Sequence, residues 1–189
     1  MQLLKVRVTS TRPMLMHSDV LSDPLNPLTQ AHKALTGKRK KTDEDHIEIA
    51  KSEWKSSIYF EKGVGVYIPG INMEACLREG AKLSKLGKHV QRSVEVMEDM
   101  IPIQYEGPKD LEKLWRDRFY DARSVKVGTA RLTRYRPMFK SWTAEFTLRF
   151  NESVINRAEV LKSLVDGGEF CGVGDYRPKF GRFAVEEIA

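Results

Sequence analysis

The stretch Gly172-Val173-Gly174-Asp175-Tyr176-Arg177-Pro178-Lys179-Phe180-Gly181-Arg182-Phe183 combines two kinds of chemistry. Its glycines admit close backbone approach, and Arg177, Lys179 and Arg182 bring positive charge to the same place. That combination suits a phosphate-rich partner; glycines that only end a helix and turn the chain are the plainer use. A second set is His17, Asp19 and Asp23, an imidazole and two carboxylates close in sequence. They could form an acid–base pair or hold a divalent cation for phosphodiester hydrolysis, while Asp23-Pro24 and Asn26-Pro27 are equally ordinary turn formers. His32, His46 and His89 lie in polar stretches without partners at ligand spacing and read as surface histidines. No metal site is expected, and no cofactor beyond a divalent cation if the chain cuts RNA.

The charge has a place as well as a size. The formal net charge is +6, from 32 Lys and Arg against 26 Asp and Glu. Ala122 to Ala144 contains no acidic residue and holds Arg123, Lys126, Arg131, Arg134, Arg136 and Lys140, so the remaining residues carry 26 charges of each sign. Positive charge concentrated on one element is an electrostatic footprint for nucleic acid. A solvated strand face with acidic neighbours in space is the alternative. The run Lys38-Arg39-Lys40-Lys41 reads either as a flexible arm touching a strand or as salt-bridge partners of Asp43, Glu44 and Asp45. Tyr176, Phe180 and Tyr135 are candidates for stacking on bases, though aromatics beside strands also build cores.

At 189 residues and 41% hydrophobic content the chain can bury a real core. No run approaches the roughly 18 apolar residues of a membrane helix, and Lys5 and Arg7 alternate with Leu4, Val6 and Val8 where a secretory segment would be apolar, so a cytoplasmic protein is expected. Cys76 and Cys171 are too few for a disulfide framework or a four-ligand zinc site and are expected to be reduced and buried.

Periodicity then orders the elements. Leu3 to Thr9 alternates as a half-buried strand, and Ser18 to Lys62 is polar and irregular, an insertion that ends in an apolar stretch running from Trp54 towards Tyr67. Met73, Cys76, Leu77, Gly80 and Leu83 share one face of a helix that follows Pro69-Gly70 and ends near Gly87. Val94 to Tyr105 reads as extended, and Asp110 to Phe119 as a short helix with Leu111, Leu114 and Trp115 inward. Val125 to Tyr135 forms the first arm of a hairpin, Arg136-Pro137 begins its turn, and Trp142 to Phe150 alternates as the second arm. Asn151 caps a helix bearing Val154, Ala158, Leu161 and Leu164, stopped by Gly167-Gly168, and Phe183 and Val185 mark the last strand. The order strand, helix, strand, strand, helix, strand predicts an α+β, ferredoxin-like (RRM-like) split βαβ with an antiparallel sheet and two backing helices. Such a single domain would span 1–189, with a long insertion after the first strand at 18–62 and a second at 87–122. The topology alone licenses no function.

Two motifs fall at telling positions in that fold. Val66-Tyr67-Ile68-Pro69-Gly70-Ile71-Asn72-Met73-Glu74-Ala75-Cys76-Leu77-Arg78 resembles the "YIPGSSLKGALR" start of the first helix in RAMP-superfamily proteins, the RNA-binding subunits of CRISPR effector complexes. Gly172-x-Gly174 followed by Phe180-Gly181-Arg182-Phe183 resembles their closing glycine-rich loop, and Arg12-Pro13-Met14-Leu15-Met16-His17 is similar to the "GPLHIG" end of the first strand in backbone subunits. The resemblance covers the frame of the chain and not Gly87 to Ala122.

It implies that a nucleic-acid backbone runs over a sheet-side groove, held by Ile71, Asn72 and Arg78 at the start of the helix and by Tyr176, Arg177, Lys179 and Arg182 at the loop. Helix N-terminal amides favour phosphate in any family. With Arg131, Arg134, Arg136, Lys140 and Lys38 to Lys41 these make up the expected nucleic-acid-binding set. The expected function is sequence-independent binding of single-stranded RNA, or of DNA, as a repeating subunit that self-associates along the strand or joins other effector-type subunits, without a membrane. A relative that stands alone, outside a CRISPR locus, fits the same residues. The alternatives are a RAMP-like endoribonuclease, using Asp23 with a metal or His17 with Tyr176 and Lys179 without one, and a structural assembly protein that docks an acidic partner.

Overall fold

The computed structural model describes residues 1–188. The chain begins with β1 (Gln2–Ser10) and β2 (Met14–Leu15), then α1 (Pro27–Thr36), α2 (Asp43–Ser57), β3 (Phe60–Glu61) and β4 (Gly65–Pro69). It continues through α3 (Gly70–Leu83), α4 (Gly87–Ser93), β5 (Val94–Val96), β6 (Met100–Gln104) and α5 (Leu111–Arg116). The remainder is β7 (Tyr120–Val127), β8 (Ala130–Phe139), β9 (Thr143–Phe150), α6 (Arg157–Asp166) and β10 (Phe183–Glu187). The protein is therefore α+β, its sheets are antiparallel, and no helix among the described residues is long and apolar enough to cross a membrane.

The elements divide between two compact units. The first holds Met1–Met14, Phe60–Glu106 and Lys140–Ala189, and is built on a seven-stranded sheet of order β10-β1-β9-β6-β4-β3, with β5 also paired to β9. Alternation decides which face is covered: Leu4, Val6 and Val8 on β1 meet Leu148, Phe146 and Ala144 on β9 in register, and all are buried. Each such side chain contributes about 1.5–3 kcal/mol by leaving water. Helices α3 and α6 add Met73, Cys76, Leu77, Val160 and Leu164 to this core. The helices touch at Gly80, where a Cβ would lie 2.2 Å from the Ser163 carbonyl oxygen, so no side chain fits.

The second unit holds Leu15–Tyr59 and Gly107–Phe139, two separate stretches of chain. Its three-stranded sheet has the order β2-β8-β7, and α2 lies against β8 through Glu53 and Arg134. The sequence reading needs correction in four places, two in this unit and two in β9 and α6 of the first. The segment 18–62 is helical rather than irregular. Asn26 caps α1 through its side chain, and Thr42 and Asp45 form a reciprocal capping box for α2. The hairpin turns at Gly128-Thr129, with Gly128 at φ +61°, and Arg136-Pro137 lies inside β8. The strand β9 pairs with β1 and β6 rather than serving as the hairpin's second arm. The cap of α6 is Asn156 with Glu159, not Asn151.

Candidate nucleic-acid interface

The glycine-rich loop closes on itself. The chain leaves α6 through a wide turn, Gly167–Cys171, ended by a hydrogen bond from the Gly172 amide to the Gly167 carbonyl at 2.7 Å. Gly172 and Gly181 both have φ +76°, and a Cβ on Gly181 would lie 1.7 Å from the Val173 carbonyl oxygen. The two arms touch backbone to backbone where Val173 N–H donates to the Gly181 carbonyl at 2.9 Å, and the loop is tied to the segment between β1 and β2 where Gly181 N–H donates to the Pro13 carbonyl at 2.7 Å. Close approach at Gly172 and Gly181 is therefore used to shape the loop, not to admit a ligand. The consequence for chemistry lies at the tip, where Tyr176, Arg177, Pro178 and Lys179 are exposed in succession on a buried base of Gly172, Val173 and Gly181.

Tyr176 sits in the left-handed region at φ +57°, its ring 6.1 Å from that of Phe180 and nearly perpendicular to it, and is 47% exposed. Arg182 folds back, its Nε donating to the Pro178 carbonyl at 2.8 Å, and thus helps to hold the tip.

At the start of α3, Gly70 N–H donates to the Asp99 carbonyl at 2.8 Å, and a Cβ on Gly70 would stand 2.2 Å from the Glu98 carbonyl oxygen. The N-cap is Pro69, with no side-chain cap, and Ile71 is 72% exposed beside a half-buried Asn72. Electrostatics ties the loop to this helix further along. The Glu79 carboxyl is lowered first by its 2.5 Å contact with Lys82, then by the fields of Arg78 and Arg177. Arg177 also acts on Cys76 and Cys171. The field of the loop cation therefore reaches the second and third turns of α3, where Arg78 also acts on Glu79. Burial pushes the Cys76 thiol up to about 12 and raises half-buried Cys171 as well, and both cysteines are free.

The open face of the large sheet offers little. Arg7 pairs with Glu145 at 2.8 Å and with Glu186 at 3.5 Å, Arg149 pairs with Glu95, and Arg157 with Glu187. The outward positions of β1 and β9 are Leu3, Lys5, Arg7, Thr9, Thr143, Glu145, Thr147 and Arg149, none of them aromatic.

In the second unit the acid-free basic window is partly neutralised by acids from elsewhere. Arg134 Nη1 donates to Glu53 Oε1 at 2.8 Å, and Arg123 binds both oxygens of Asp121, one residue outside the window. Half-buried Arg136 lies opposite Asp121 in register. Lys126 and Arg131 face each other at the exposed end of the hairpin, while Lys140 is exposed in the first unit. Lys38 is held by Asp45 at 2.5 Å and Lys41 by the Lys38 carbonyl at 2.8 Å, leaving Arg39 and Lys40 exposed between α1 and α2.

The catalytic candidates behave as structure builders. Asp23 Oδ1 accepts from the Leu25 amide at 2.9 Å, a turn of its own, and the Asp19 carbonyl accepts from Ser22. Exposed His17 accepts through its carbonyl from the Tyr59 hydroxyl. His17, Asp19 and Asp23 belong to the second unit, Tyr176 and Lys179 to the first. Among the described residues no group of three or more His, Cys, Asp and Glu is placed to hold a metal ion. His32 bonds Ser52 through Nδ1 at 3.1 Å, joining α1 to α2. The sequence reading missed one constellation, Trp115 with Arg116, Arg118 and Tyr120; the three aromatics and two arginines gathered in Trp115-Arg116-Asp117-Arg118-Phe119-Tyr120 were its visible signal. No protein-family model and no curated protein matches the chain.

Proposed function

We propose that the chain binds single-stranded nucleic acid, RNA ahead of DNA, through backbone phosphates and with little base readout. The observation that carries this reading is the loop after α6, whose self-bonded glycine base presents Tyr176, Arg177 and Lys179 together at an exposed tip. A tip braced in this way loses little conformational entropy when it meets a strand. Arg177 and Arg78 supply charge to the same stretch of α3. The large sheet supports a ferredoxin-like reading with a different second strand: β6, from within the expected insertion 87–122, takes the place that the sequence reading assigned to Val125 to Tyr135, and in the run β1, α3, β6, β9, α6, β10 the strands lie side by side as β10-β1-β9-β6, the order of a split βαβ, extended at one edge by β4 and β3. That frame agrees with the resemblance to RAMP backbone subunits, and with copies repeating along one strand in a reducing, cytoplasmic setting that suits two free thiols.

The test is fluorescence anisotropy of labelled single-stranded RNA and DNA over a range of salt. Log affinity should fall linearly with log salt, and Arg177→Ala should lower the slope by about one. No binding at low salt overturns the proposal.

A further inference from the structure

We infer that the second unit carries its own pocket for one unstacked nucleobase, with the adjoining phosphate held by two arginines. This reading takes its ligand class from the proposal above, but it rests on different residues in a different unit.

A cavity of about 350 Å³, at the small end of ligand pockets, opens between the start of α2 and the segment that joins α5 to β7. Its floor is aromatic. The rings of Trp115 and Tyr120 lie 4.8 Å apart and 32° from parallel, and Tyr135 stands edge-on to Tyr120 at 5.5 Å. Behind Trp115, at 5.8 Å, is buried Trp54, whose indole N–H donates to the Phe119 carbonyl at 2.9 Å, so the floor is fixed before any ligand arrives. His46 and exposed Ile47 form one wall.

The opposite rim is Arg116 and Arg118. Both are exposed, and neither makes an ion pair among the described residues. Of the neighbouring acids, Glu112 is engaged with Lys51, Glu53 with Arg134 and Asp121 with Arg123, while Asp117, the exposed C-cap of α5, lies between the two arginines in sequence. Arg118 occupies the left-handed position just past α5, at φ +59°, where glycine carries no steric penalty.

The hairpin extends the site. Strand alternation puts Tyr120, Tyr135, Lys126 and Arg131 on one face, with Lys126 directly opposite Arg131. Like charges opposed across strands repel unless an anion lies between them. The aromatic floor thus leads to a cation pair about 20 Å along the strands, a few nucleotides away.

The test uses the full chain, labelled 12-nucleotide oligoadenylate, and an abasic strand of equal length. Trp115→Leu should weaken oligoadenylate binding by about 5- to 100-fold, the worth of one stacked base, and leave the abasic strand unaffected. Arg118→Gly should weaken it several-fold while the melting temperature holds or rises, which separates binding from folding if Trp115→Leu proves unstable. If both variants bind within twofold of the wild type while Arg177→Ala still binds weakly, the pocket is refuted and the loop reading stands. If the wild type binds no strand, both fall. Displacement of the oligonucleotide by polyglutamate with no preference for the strand that has bases would overturn the pocket in favour of an acidic peptide site.

Discussion

Glu53 accepts a 2.8 Å hydrogen bond from Arg134 Nη1 and a second, at 3.3 Å, from the Tyr135 amide, so one carboxylate fastens both a side chain and the backbone of β8 to α2. The carboxylate is buried, and its partners lie 81 and 82 residues away in sequence. Truncating either side leaves a charged group short of its partner. Glu53→Ala and Arg134→Ala should each cost about 2 kcal/mol, less than a fully buried pair because Arg134 is partly exposed. Chemical denaturation measures this. Arg131→Ala should do the reverse, raising stability by roughly a few tenths of a kcal/mol as the repulsion from Lys126 is relieved and reducing the salt dependence of strand binding.

Two glycines separate architecture from the loop. Gly80→Ala drives a methyl into the Ser163 carbonyl and the Gly167 amide, and should destabilise by about 3 kcal/mol, the upper end of overpacking. Gly128→Ala meets no neighbouring atom but keeps φ +61°, and should cost about 1 kcal/mol from backbone strain alone. Thermal unfolding of the two variants gives the comparison.

The Asp45 carboxyl lies at about 2, below its ordinary 3.8, chiefly through Lys38 and then through the Thr42 amide. A lowered carboxyl favours the folded state once the unfolded chain has lost that proton. The contribution is therefore complete above pH 3.8 and disappears as pH falls through about 2. Amide protection in the first turn of α2, taken relative to the unfolded chain at the same pH, should fall across that window, and Asp45→Asn should remove this pH dependence.

The Cys76 thiol has the opposite sign. Raised by burial from 9.0 to about 12, it keeps its proton when the unfolded chain has lost it, so stability should decline as pH rises above 9. Iodoacetamide at pH 8 should leave Cys76 unmodified in the native protein and react only after unfolding, as mass spectrometry of labelled peptides would show. Cys76→Ala removes the alkaline loss but adds a small cavity.

Strands β1 and β9 of the large sheet were legible because they alternate cleanly, whereas β6 read only as extended and its place in the sheet was given to Val125 to Tyr135. Leu4, Val6 and Val8, and Ala144, Phe146, Leu148 and Phe150, are buried as their spacing requires. The helices of 18–62 were not, since the apolar spacing Ile47, Ala50, Trp54 in α2 is interrupted on its buried side by Glu53, Ser56 and Ser57, while Ile47 itself is exposed. Its capping box was written in Thr42 and Asp45, but caps without a clear stripe are weak signals. Pro137 misled because it sits on the last rung of the hairpin, opposite Tyr120, with its carbonyl taken by the Met16 amide. The loop tip was legible from composition. The neutralisation of Arg134 was not, because only the fold brings Glu53 to it.

The second unit is a joint product of two excursions of the chain. One supplies Trp54, Glu53 and the capped helices; the other supplies Trp115, Tyr120, Tyr135 and Arg134. Neither half owns the aromatic cluster, so a deletion in one excursion strips the other of its core. The unit therefore exists only once both excursions have been made, and a chain cut short before Gly107 would leave the first excursion without its aromatic partners.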